Sequence, residues 1–199
     1  MPNTTKATNG TDIYLNKINA LSDEYINNIL NINPDDAKDP ENKKNIADNF
    51  TDMIFYIADN IDKPKNEDIE LLDNIFNIYI RLCTRYSVLP SLEVFSFLVG
   101  INNGTFSDWA DGQYRTSSGH GETVKKWKNI CKGFTVNRLQ NQTGTNANLI
   151  FVAKAAYGMV EAPQQVQVIS GQAPEQIAAD IAARHMIGQA ERPQLPEDL

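Results

Sequence analysis

Apolar residues return every three or four positions through most of the first 140 residues, the period of helices with one buried face. Ile13, Ile18, Leu21, Tyr25 and Ile29 predict an amphipathic helix from Asp12 to about Leu30. The run "NINPDDAKDPEN" interrupts it with prolines and carboxylates and reads as a loop. Ile46, Phe50, Met53, Ile54 and Ile57 then predict a second helix at about 43–60. Ile69, Leu72, Ile75, Phe76, Tyr79 and Leu82 predict a third at 66–86, bounded by Pro64 and Pro90. No tract in the first 100 residues alternates like a half-buried strand.

The stretch "PSLEVFSFLVGINNGTFSDWADG", residues 90–112, departs from this rhythm and predicts two short helices crossing at a glycine. A helix-turn-helix needs a small residue at the crossing, a Gly able to take φ > 0 in the turn, and apolar residues clamping the helices together. Phe95, Ser96, Val99, Gly100, Ile101, Phe106 and Trp109 fit those requirements in type and spacing. An ordinary αα-corner with a Gly cap meets the same pattern, so both readings stand at this point. In the DNA-binding reading the second helix exposes Asn102, Asn103, Gly104, Ser107, Asp108 and Asp111. None is Arg or Lys, which removes bidentate contact with guanine; Asn103 suits adenine, and Ser107 suits a base or a phosphate.

After the polar "QYRTSSGHGE", a helix from about Glu122 to Gln140 turns Val124, Trp127, Cys131, Phe134 and Leu139 inward, with Lys125, Lys126, Lys128 and Lys132 mostly off that face. A short apolar helix, Asn148 to Tyr157, follows, with Gly158 placed to end it. "QQVQVIS" alternates polar and β-branched residues and is the one strand expected, pairing with copies of itself because a lone strand is unstable. Residues 173–187 read as an Ala-rich helix and "ERPQLPEDL" as an acidic tail suited to a partner protein. The expected organisation is thus mainly α. It comprises a disordered tail (1–11), an acidic helical segment (12–86), a central helix-turn-helix module (87–140), an apolar helix plus β segment for oligomerisation (141–172), and a C-terminal helix with a partner-binding tail (173–199).

Charge sharpens this picture. The net charge of −7 argues against nucleic acid, yet it is unevenly spread: residues 1–80 carry −8, residues 81–139 carry +4 and residues 140–199 carry −3. The one basic third contains the turn. Arg115, Lys125, Lys126, Lys128 and Lys132 would supply weak, salt-sensitive phosphate binding; a solvated helix face is the plainer explanation of the lysines. Cys83 and Cys131 lack metal-ligand spacing and read as reduced thiols on apolar faces. His120 is expected in a flexible, solvent-exposed loop. No triphosphate loop, zinc-protease motif or nucleophile elbow occurs, so the expectation is a non-enzyme without metal or cofactor. Neither a secretory signal nor an 18-residue apolar run is present, which points to a cytoplasmic protein without a membrane partner.

The turn "LEVFSFLVGINNGTFSDWADG", the following "KKW" and the stretch "NANLIFVAKAAYGMVEAPQQVQV" together resemble the small-terminase type of DNA-packaging protein of tailed phages, over roughly residues 80–170. The resemblance implies double-stranded DNA as a ligand, with Leu92–Asp111 as the reading element and Asn102, Asn103 and Ser107 facing the groove. It implies a ring-shaped homo-oligomer with contacts from helices around 122–157, Leu149, Phe151 and Val152 among them, and Val166, Val168 and Ile169 in a shared sheet. It also implies a C-terminal tail that engages the large, ATP-hydrolysing terminase subunit in the bacterial host cytoplasm. The acidic first 80 residues depart from that pattern, since such DNA-binding modules usually lie near the N-terminus. A phage or plasmid transcriptional regulator and a structural protein of a phage particle remain as alternatives.

Overall fold

The computed structural model describes residues 10–141, 144 and 146–159, all within one compact unit that runs to Met159. These residues build α1 (Gly10–Asn28), α2 (Pro40–Asp48), α3 (Phe50–Asn60), α4 (Ile69–Tyr86), α5 (Leu92–Val99), α6 (Asn103–Ala110), α7 (His120–Asn141) and α8 (Ala147–Tyr157), with a 3-10 turn at Pro34–Asp36. The described part is therefore all-helical. The expected β segment with Val166, Val168 and Ile169, the C-terminal helix and tail, and residues 1–9 lie outside the described residues.

Helix α4 is the hub. It packs on α1, α2, α5 and α7, and eight of its residues are buried, from Leu72 to Tyr86. Asp68 caps its start by accepting from Leu71 N at 3.0 Å, which ties up one of the four amides a helix leaves free at that end. Ser87 ends it in the left-handed region at φ 60°. Around this hub a single core runs from Ile18 in α1 to Cys131 in α7, so the acidic N-terminal helices and the basic central ones share one apolar interior. Its densest part is aromatic: the Trp127 ring meets Phe76 at 5.1 Å, Phe95 at 5.2 Å and Phe106 at 5.6 Å, joining α4, α5, α6 and α7. Edge-on and offset contacts of this kind add about 0.5–1.5 kcal/mol each beyond the area buried.

Two departures from the periodicity have physical causes. The helix expected over 43–60 is two helices meeting at Asn49, whose side-chain amide donates to Asn45 O and Oδ1 at 2.9 Å each. Such local side-chain bonding competes with the helical backbone pattern. The first of the two also begins earlier, because Asp39 caps it and Pro40 suits the first helical position. In α1 the buried stripe is Ile18, Ser22, Tyr25 and Ile26, while Ile13 and Ile29 are exposed. Ile13 lies five residues before Ile18, off that stripe, and Ile29 follows the last helical turn.

Candidate nucleic-acid interface

Pro90 and Ser91 start α5: the Ser91 hydroxyl accepts from Val94 N at 3.2 Å. The Tyr79 hydroxyl donates to Ser91 O at 3.2 Å and accepts from Ser91 N at 3.1 Å, so α4 holds the entry to α5. Nine residues after Ser91, Gly100 takes φ 69°, and the helix closes through Gly100 N to Phe97 O and Ile101 N to Ser96 O at 3.3 and 3.2 Å. This is the Schellman arrangement, which requires a left-handed residue and so favours glycine. Asn102 then caps α6, its Oδ1 accepting from Gly104 N at 2.7 Å. Two eight-residue helices are thus joined by the three-residue turn Gly100–Asn102. Phe95, Ser96, Val99, Ile101, Phe106 and Trp109 are all buried.

The turn has a lock that the sequence reading did not single out. Lys63, in the linker before α4, lays its methylenes over Gly100 and donates to Ala58 O at 2.6 Å and Leu98 O at 3.4 Å. It thereby satisfies a carbonyl near the end of α3 and one near the end of α5. Burial lowers its pKa, an effect Asp59 partly opposes. Nothing in "DKPKN" announces this contact, because it depends on where α3 and α5 meet.

The second half of the motif is held from below. His120, expected in an exposed loop, is 1% exposed at the start of α7. Its Nε2 donates to Asn66 O at 2.8 Å, its Nδ1 lies 2.8 Å from the Ser118 hydroxyl, and its ring stands edge-on to Trp109 at 4.6 Å. Both ring nitrogens are thus used inside the fold, which corrects the solvent-exposed expectation. Gly121 beside it is required by proximity: a Cβ there would lie 2.6 Å from Trp109 O.

On the outer edge, Asn102, Gly104, Asp108 and Asp111 are exposed, and Asn103 and Ser107 are half-buried at the surface. The cations divide into two groups. Arg115 is held by Glu67 at 2.7 Å, Lys126 by Asp73 at 2.6 Å and Lys125 by Glu122 at 3.1 Å. The Arg115 guanidinium holds the Glu67 carboxyl below its ordinary pKa. Asp73 also accepts from Trp127 Nε1 at 2.8 Å, so Lys126 belongs to an α4–α7 clasp. Lys128 and Lys132 have no ion pair or hydrogen bond with any described residue. They stand with Asn103 around one cleft of about 270 Å³, between the first turns of α5 and α6, α7 and the end of α8. Leu92, Glu93, Asn129, Cys131, Ala156 and Tyr157 complete it. Of the eight DNA-contact residues expected from the sequence, the fold therefore gathers Asn103, Lys128 and Lys132 in one place. Asn102 and Ser107 stay on the same helix, and Arg115, Lys125 and Lys126 are engaged with carboxylates.

Helix α8 divides similarly. Leu149, read as an oligomer contact, is 8% exposed and with Ala153 faces inward, on a helix packed against α7. Within one chain it is already covered by α7. Phe151 and Val152 are 70% and 43% exposed.

Among the described residues no group of three or more His, Cys, Asp or Glu side chains is arranged to hold a metal ion, and no helix is long and apolar enough to cross a membrane. Compared with known proteins, the chain matches no family, no curated protein and no solved structure.

Proposed function

We propose that this protein is a non-enzymatic DNA-recognition subunit of the small-terminase type, which binds viral double-stranded DNA as a homo-oligomer and delivers it to a large terminase subunit in the bacterial host cytoplasm. The observation that carries the reading is the junction of α5 and α6. The left-handed turn at Gly100 between two short helices sets Asn103 and Ser107 at the surface, with Lys128 and Lys132, unpaired among the described residues, beside Asn103. Short polar side chains and two free ammonium groups suit phosphate and sugar contacts, which position a protein on a duplex without reading its sequence. Weak contact per copy favours an assembly in which several copies act on one DNA. The exposed Phe151 and Val152 on α8 offer apolar surface for that assembly.

Mass in solution tests it. At micromolar concentration the full chain is expected to sediment as a closed assembly of about eight or more copies and to retain duplex DNA at low salt. A dimer binding one short site tightly would instead make it a transcriptional regulator. No DNA retention at low salt would leave a structural protein whose residues 90–112 are only a corner.

A further inference from the structure

A second cleft, of about 360 Å³, lies where α1, the turn before α2, α2 and the end of α4 meet. Lys38, Lys43 and Arg85 line it over Ile26 and Ala37, with Asp23 at its edge. Three cations thus line one surface cleft. Other cations find carboxylates, as Lys17 does at Asp62 and Lys126 at Asp73. The side chains of Lys38, Lys43 and Arg85 make no ion pair or hydrogen bond with any described residue.

Tyr86 supplies the second observation. Its ring is 2% exposed and tilted against Phe50 at 6.5 Å, yet it lines this cleft and its hydroxyl has no partner among the described residues. Like charges around one cavity repel unless an anion sits between them. One ligand relieves that repulsion and gives the Tyr86 hydroxyl an acceptor: an anion with several oxygens.

We propose that this cleft binds a small phosphate-bearing ligand. Its oxygens accept from the Arg85 guanidinium fork, the two lysine ammonium groups and the Tyr86 hydroxyl. The cavity is at the lower end of small-molecule sites, which run from about 300 to 1,000 Å³, so it takes a phosphate head and a small body. Asp23 is placed to accept from a hydroxyl or ammonium group on that body. The site is independent of the DNA reading, because it shares no residue with the α5–α6 edge.

Pyrophosphate is the probe, added to the full chain at constant ionic strength and followed by melting temperature and calorimetry. Saturable binding is expected, with a melting temperature that rises with pyrophosphate. Tyr86→Phe, which keeps the ring and its packing, should weaken binding a few-fold, and Lys43→Gln/Arg85→Gln about tenfold or more. Absent saturation, or equal binding by the parent and both variants, overturns the proposal. So does a Lys43→Gln/Arg85→Gln variant that loses duplex DNA affinity while the parent ignores pyrophosphate, since the cleft would then be a DNA contact.

Discussion

Cys83, Cys131 and Tyr79 lie where water does not reach, and their protons report it. Burial pushes both thiols up to about 12, and it raises the Tyr79 hydroxyl as well, although its bond to Ser91 pulls the other way. The unfolded chain releases thiol protons at the ordinary value of 9.0, whereas the folded chain keeps them to about 12. The contribution to stability is therefore full below pH 9 and is lost as pH rises toward 12. Each thiol adds a slope of up to about 1.4 kcal/mol per pH unit in that window. Urea unfolding from neutral to strongly alkaline pH should show this decline, and Cys83→Ala/Cys131→Ala should flatten it. A parent and double variant that fall in parallel would show the thiols to be solvated. The same burial keeps both cysteines as thiols at neutral pH, unsuited to nucleophilic or metal chemistry.

At the scale of elements, the α6–α7 crossing requires a glycine at position 121. A methyl group there would sit 2.6 Å from the Trp109 carbonyl oxygen, a backbone atom that cannot rotate away. Gly121→Ala should cost about 1–3 kcal/mol through forced separation of the helices. Gly133→Ala, on α7 with nothing within 4 Å of the added carbon, should instead stabilise by about 0.5–1 kcal/mol. Thermal melts of the two variants read the difference, and a Gly121→Ala protein melting like its parent would contradict the close approach. These elements were unequally legible in the sequence. The helices were readable because residues such as Leu72, Ile75, Phe76, Tyr79 and Leu82 recur at helical spacing, and Gly100 was readable because a turn with φ > 0 calls for that residue. Gly121, Lys63 and His120 were not. Each acts on an element distant in the chain, Lys63 on Leu98 and His120 on Asn66, and no local pattern encodes which backbone will arrive there. The cations show the same limit: composition made Arg115, Lys125, Lys126, Lys128 and Lys132 one basic cluster, and only the fold tells which of them meet carboxylates.

Across the whole molecule, one continuous core links acidic and basic halves, so the N-terminal helices support the turn at Gly100 rather than forming a detached arm. Lys63 from the linker braces it directly, and Asp73 clasps α4 to α7 beside it in the core. At the proposed interface the cations without a carboxylate partner among the described residues are Lys128 and Lys132, with Glu93 in the same cleft. The salt dependence of duplex DNA binding, compared between the parent chain and Lys128→Gln/Lys132→Gln, therefore tests the account most directly. Each phosphate contact contributes about 0.9 to the slope of log affinity against log salt, so the double variant should lose close to two units of slope. Lys126→Gln, which removes a cation already held by Asp73, should leave the slope nearly as it was. A double variant with the parent's slope and affinity would contradict the claim that DNA lies against this edge.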